Sequence, residues 1–216
     1  MPLVNSEFDL TKGGLKRARY VIEVRKINTL CAREEYKKAL KVARKLLKEN
    51  PNHAYLYNTL GEIHLRLNQI NPAIRNFKEA LKLNANYSEG YFNLGSAFAL
   101  KGQTKEAMTN FQNVIQLVPN SADAYFNLGL LAQQSDQLQS ALEYYQKAVE
   151  LSYNIPDAHN NTGVILNRLN NPHSAVKAYK KALSLRPDSA EFHNNIGLAY
   201  EKLGELNLAK KSFESA

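Results

Sequence analysis

The stretch ADAYFNLGLLAQQSDQLQSALEYYQKAVEL, residues 122–151, decides the fold, because its pattern returns along the chain at a constant interval. Gly61, Gly95, Gly129, Gly163 and Gly197 are spaced 34 residues apart, and so are Ala39, Ala73, Ala107, Ala141, Ala175 and Ala209. A fixed period in the range of about 20–50 residues marks stacked supersecondary units, each unable to bury its apolar face alone. The fold class is therefore all-α, an α-solenoid of helix hairpins.

Taking Ala122 as position 1, Tyr125, Leu128, Gly129 and Ala132 at positions 4, 7, 8 and 11 fall on one apolar stripe of a first helix. Ala141, Tyr145 and Ala148 do the same for a second. Gly129 and Ala141 leave room for the helix axes to approach, with the aromatics at positions 4 and 24 expected to fill space toward the neighbouring hairpin. Units of this kind run over 54–87, 88–121, 122–155, 156–189 and, cut short, 190–216. Each turns at Asn68, Gly102, Asp136, Asn170 or Gly204, residue types that tolerate the left-handed backbone closing a helix. Pro72 and Pro172 suit the first turn of a second helix, Pro119 and Pro187 its end, and Ser121 and Ser189 are candidate N-caps.

An aromatic, Leu-Gly, an aromatic or small residue, Ala, Tyr or Phe, Ala and Pro at this period resemble the tetratricopeptide repeat; in 88–121 they are Tyr91, Leu94, Gly95, Phe98, Ala107, Phe111 and Pro119. The resemblance spans about residues 20–216. It implies a right-handed superhelix of antiparallel hairpins that holds peptides or proteins on its inner surface. Departures are Ile27 in place of the Gly, Ala43 in place of the aromatic, and His159 and His193 at position 4.

The N-terminal quarter reads differently. Residues 1–14, with Pro2 and Gly13-Gly14, favour a flexible segment. Residues 15–53 read as a degenerate repeat or cap, with Leu15, Ala18, Val21 and Ile22 on its packed side and a partner helix from Glu34 to Glu49. Residues 1–53 hold 13 Lys/Arg against 6 Asp/Glu, so nearly all of the net charge of +8 lies there. Lys37, Lys41, Lys45 and Lys48 form a stripe read as the solvated face of a cap, with contact to an anionic surface as the competing reading. The array itself is close to neutral and does not point to nucleic acid. There is no apolar run of membrane-spanning length and no charged-then-apolar leader, and the single Cys31 suits a reducing compartment; the expected location is cytoplasmic.

Positions 2, 6, 9 and 13 of the first helices point away from the packed stripe and form the candidate binding face. Its ladder reads Glu89, Asn93, Ser96, Leu100; Asp123, Asn127, Leu130, Gln134; Asp157, Asn161, Val164, Arg168; and Glu191, Asn195, Leu198, Lys202. In unit 54–87 the same positions are Tyr55, Thr59, Glu62 and Arg66. An Asn amide donates and accepts, so it can pair with a peptide unit whatever side chain that unit carries. The ladder Asn93, Asn127, Asn161 and Asn195 is similar to that of the O-GlcNAc transferase superhelix, with Phe92 and Phe126 beside it for apolar contact. The competing reading has Asn at this position cap or bridge neighbouring loops and the acids at position 2 only answer the helix dipole. Position 5 is Asn58, Phe92, Phe126, Asn160 or Asn194, never the Lys of a carboxylate clamp.

No catalytic, cofactor or metal constellation stands out. His159 and His193 belong to the packing stripe rather than to a metal pair, Ser174 to Lys177 matches Ser-x-x-Lys without its companion motifs, and Cys31 reads as a packing residue. The expectation is a non-enzymatic scaffold for an extended peptide or protein segment, needing no cofactor. The alternative is a substrate-recruiting arm of a glycosyltransferase or sulfotransferase whose catalytic domain follows Ala216. Leu206, Ala209 and Phe213 have no following repeat in this sequence, so the expectation is that the chain is a fragment of a longer one, or that this face is covered by a partner or by self-association.

Overall fold

The structure is a computed structural model describing residues 12–216, without the side chains of Lys12 and Leu15. The described residues form twelve α-helices and no strand, in two compact units that divide between Gln103 and Thr104. The first unit holds α1 (Lys12–Ala32), α2 (Tyr36–Glu49), α3 (Ala54–Arg66), α4 (Ile70–Leu83) and α5 (Ser88–Leu100). The second holds α6 (Thr104–Leu117), α7 (Ala122–Gln134), α8 (Leu138–Leu151), α9 (Pro156–Arg168), α10 (Pro172–Leu185), α11 (Ala190–Lys202) and α12 (Leu206–Glu214). Within each unit every helix packs on its sequence neighbours, which makes an α-solenoid of hairpins.

The turns follow the chemistry of their residues. Asn68, Asp136, Asn170, Gly102 and Gly204 all take positive φ, so each hairpin reverses through one left-handed residue. Ser121 and Ser189 cap α7 and α11 by accepting from the N–H of Ala124 and Phe192. Asn171 does the same for α10, where Pro172 occupies the first turn. The first turn of the chain is the exception: Glu34, expected to begin a helix, has φ of 59°, and α2 starts at Tyr36. A β-carbon is unfavourable in that region by about 1–2 kcal/mol, and Glu has no short polar group to offset it locally. Glu34→Gly is therefore expected to stabilise the chain by about 1 kcal/mol. Urea melts at matched protein concentration test this, and an unchanged or lower midpoint would count against it.

The core rests on size exchange between paired helices. A Cβ built on Gly61 would lie 2.3 Å from Phe77 Cε1, and one on Gly129, Gly163 or Gly197 would come within 2.6 Å of Tyr145, Tyr179 or Phe213. The position-24 ring therefore seats on the glycine of its own hairpin, which corrects the expectation that it faces mainly the next one. In α1 and α2 the sizes are reversed. Ile27 stands at the glycine register and Ala43 at the ring register, and both are buried in one cluster with Ala39, Leu46, Leu56, Leu60 and Ile63. The branched side chain on α1 occupies space that a ring on the second helix takes elsewhere, so the departures at 27 and 43 compensate and the N-terminal hairpin still packs.

Two further expectations are corrected. On the first helices the most completely buried residues include Leu56, Ala124, Ala158 and Phe192 at position 3, and Ile63, Ala97, Ile165 and Ala199 at position 10. Tyr57, Tyr91 and Tyr125 at position 4 are only half-buried. The packed stripe is thus rotated by about one residue, because α3, α7, α9 and α11 each contact both their partner and the second helix before them. On α1, Val21 and Ile22 are exposed at 46% and 63%, while Tyr20, Val24, Ile27, Leu30 and Cys31 face the core at helical spacing. Gly13-Gly14 lies inside α1 rather than in a loop; glycine costs little in a first turn, whose N–H groups have no intrahelical partner in any case. The rest of the expected flexible segment, 1–11, lies outside the described residues. Leu206 and Phe213 on α12 are exposed, as expected of a second helix without a covering repeat among these residues, and so is Leu208, but Ala209 is buried at 3% in the cluster with Ala175 and Ile196, because it faces its partner helix α11.

Candidate functional site

In the second unit, α9 and α11 meet through a polar clasp. Asn160, only 2% exposed, donates from Nδ2 to Glu191 Oε1 at 3.0 Å, and its Oδ1 accepts from Asn195 Nδ2 at 3.0 Å. The first unit repeats it between α3 and α5. Asn58, fully buried, donates to Glu89 Oε1 at 3.5 Å and accepts from Asn93 Nδ2 at 3.0 Å. Asn93 also donates to Glu62 Oε1 at 3.2 Å, and the Tyr87 hydroxyl donates to Glu89 Oε2 at 3.3 Å. Burying a position-5 amide between helices is tolerable because both its donor and its acceptor are satisfied.

The predicted ladder therefore divides. Glu89, Asn93, Glu191 and Asn195 bind adjacent first helices together while keeping part of their polar surface at the exposed face. Asn161 donates to the Tyr145 hydroxyl at 3.4 Å, and that hydroxyl donates to Gln133 Oε1 at 2.8 Å. Asp157 forms a bidentate pair with Arg186, at 2.9 and 2.8 Å, which also holds the Arg186 guanidinium over the Phe192 ring. Arg168 pairs with Asp136, and Lys202 donates to the Asn167 carbonyl at 2.8 Å. Phe126 lies 5.8 Å from the Tyr145 ring, while Phe92 is half-buried on α5. On α7 the side chains are least committed. Asp123 is exposed with no ion pair among the described residues, and Asn127 donates only to the Asp123 carbonyl of its own helix, at 2.8 Å. With Leu130 half-buried and Gln134 exposed, they make a face of donors, acceptors and apolar surface along one helix.

Neighbouring registers show what one methylene does. Asn167 is twelve residues before Tyr179, as Gln133 is before Tyr145, yet its Oδ1 is buried and has no hydrogen-bond partner. Asn is one carbon too short to repeat the Gln133 bond. Asn167→Gln is expected to reach the Tyr179 hydroxyl and to stabilise the chain by about 1 kcal/mol, read as a higher urea midpoint. A Tyr179→Phe background should erase the gain, and a gain that persists there would refute the pairing.

The histidines are structural. His159 Nε2 lies 3.1 Å from the Tyr153 carbonyl and His193 Nε2 lies 2.8 Å from the Pro187 carbonyl, so each ties a first helix to the loop preceding it. Burial holds the His159 imidazole below its ordinary range, which favours the neutral ring. No group of three or more His, Cys, Asp or Glu suited to a metal occurs among the described residues. The Cys31 thiol is pushed up, by burial first and then by Glu62, which disfavours a reactive thiolate. No described helix is long and apolar enough to cross a membrane.

Sequence reasoning missed the clasp, assigning no role to Asn58 and Asn160. The signal was present at two registers. Where position 5 is Asn, the next unit opens with Glu (Glu89, Glu191), and where it is Phe92 or Phe126, the next opens with Asp123 or Asp157. Only the longer acid reaches back to a buried amide on the preceding first helix.

Hairpins stacked through a Gly-aromatic seat and amide clasps define a repeat-type interaction scaffold, and comparison with known proteins says which one. The TPR repeat model matches residues 95–136 and 171–204, and tetratricopeptide repeat models match 31–86 and 122–152. The chain belongs to the tetratricopeptide repeat family. Among solved structures it is similar to MamA, with 28% identity over 75% of this chain and 88% of that one and a TM-score of 0.70. YrrB, described as a TPR protein with an unusual peptide-binding site, is 23% identical over 80% of this chain and 89% of its own, with a TM-score of 0.70. PilF of Pseudomonas aeruginosa shares the fold at a TM-score of 0.82 and 18% identity, over 91% and 90% of the two chains. No curated protein matches the sequence.

Proposed function

We propose that this chain is a non-enzymatic scaffold in which five repeat units, 54–216, behind an N-terminal cap at 15–53, hold an extended peptide or protein segment on their first-helix faces. The observation that carries this is α7, where Asp123, Asn127, Leu130 and Gln134 are accessible and the Asn127 amide makes one bond, within its own helix. An extended chain presents a donor and an acceptor per peptide unit, and such an amide can meet both. Asn161, Asn195, Asp157, Glu191, Arg168 and Lys202 extend the face over α9 and α11, while Glu89, Asn93 and Phe92 belong to the face of α5. A cytoplasmic location accords with this role.

Selection of displayed random peptides against the whole chain supplies the probe. Asn127→Ala with Asn161→Ala is expected to weaken the selected peptides about tenfold or more, as two amide contacts are lost, with the melting temperature within a few degrees of the parent. Equal affinity in the double variant would reject the ladder as the binding surface.

A further inference from the structure

Between α1, α3 and α5 of the first unit lies a cavity of about 700 Å³, within the usual range of ligand clefts. It is lined in part by the residues that depart from the Asn ladder, Tyr55, Thr59, Glu62 and Arg66, and also by Tyr36. Glu62 is half-buried and makes no ion pair among the described residues. Its Oε1 accepts from Asn93, which also donates to Asn58, the amide that reaches Glu89, so two carboxylates share one amide pair. Burial first, and then the Glu89 charge, hold the Glu62 carboxyl above its ordinary range; the Asn93 bond and Arg66 only oppose this.

We infer that this cavity receives a lysine or arginine side chain of the bound segment, its cation meeting Glu62 between the Tyr36 and Tyr55 rings. This deepens the scaffold reading above and rests on it for the source of the side chain. A cation answers both features of the site: it restores a partner to a desolvated carboxylate and lies favourably over aromatic faces. A neutral side chain would leave Glu62 further desolvated and unpaired, and an anion drawn by Arg66 would face Glu62 and Glu34 in the same cavity. The carboxylate that creates the site also weakens the fold. Its raised pKa means that the stability it gives is present below the ordinary carboxylate range and lost as pH rises through the folded-state value. Glu62→Gln keeps an acceptor for Asn93 and is expected to melt higher than the parent at pH 7, the difference closing as the pH falls toward 4.

The test titrates the whole chain with Nα-acetyl-lysine methylamide, its arginine counterpart and its norleucine counterpart, following backbone amide resonances. The two cationic probes are expected to give saturable shifts at Tyr55, Thr59 and Glu62 that norleucine does not. Glu62→Gln should weaken them about tenfold, while Glu62→Asp retains them. Cationic probes that shift no more than norleucine, or that bind Glu62→Gln as well as the parent, overturn the inference. The scaffold reading fails separately, through peptides indifferent to Asn127 and Asn161, because those residues lie in the other unit and are not needed by the single-residue probes.

Discussion

Gly61→Ile combined with Phe77→Ala should recover much of the stability that either change loses alone. Phe77 is fully buried, and removing its ring is expected to cost about 3–5 kcal/mol, from lost transfer energy and the cavity left behind. Gly61→Ile alone drives its Cβ to 2.3 Å from Phe77 Cε1 before its remaining carbons are placed, and the ring cannot swing away because it is enclosed. Overpacking of this kind costs about 1–3 kcal/mol or more, far outweighing the roughly 0.5 kcal/mol gained by replacing a helical glycine with Ile. The double variant reproduces the arrangement the chain already uses at Ile27 and Ala43, with the bulk moved from the second helix to the first. A coupling of about 2 kcal/mol between the two sites is expected from urea melts of all four proteins. Strictly additive losses would show that the two hairpins pack by unrelated means.

Asn160→Ala should destabilise the chain by about 2–3 kcal/mol, whereas Asn127→Ala should stay within about 0.5 kcal/mol. The two residues look alike in sequence, each a helix-interior Asn of a first helix. Truncating Asn160 removes the acceptor for Asn195 and the donor for Glu191 and leaves a carboxylate at an inter-helix contact without that hydrogen bond. Truncating Asn127 removes one bond to its own helix, and water can replace it. Phe at 160 with Asp at 191, the combination found at Phe126 and Asp157, should restore part of the Asn160→Ala loss by exchanging the clasp for apolar contact. Equal losses at 160 and 127 would mean that the clasp contributes nothing to stacking.

These contrasts mark how much of the site was legible in advance. Helical geometry places the candidate face, and on α7 Asn127 is half-buried and Gln134 exposed along it. The sequence could not separate Asn127 from Asn161, or Asp123 from Asp157, because the difference lies in partners from other elements. Arg186 comes from the end of α10, at a register the repeat pattern leaves variable, and the Tyr145 hydroxyl from α8, at a register where the ring recurs but the hydroxyl recurs only at Tyr179. The rotated stripe has the same origin. Helical periodicity locates an apolar face to within about one residue, and contact with a second neighbouring helix decides which residues lie at its centre.

By itself the sequence determined the period, the hairpin, the small Gly and Ala positions and the left-handed turn residues, because these depend on local backbone chemistry and on side-chain size repeated at one interval. It also determined which face of each first helix is polar. Only the tertiary structure decided which polar residues on that face hold helices together and which make no bond to another helix. Hydrogen bonds between helices depend on reach of a single methylene, as Glu against Asp and Gln against Asn show, and on what the adjoining helix offers at that height. A repeating pattern leaves both unstated.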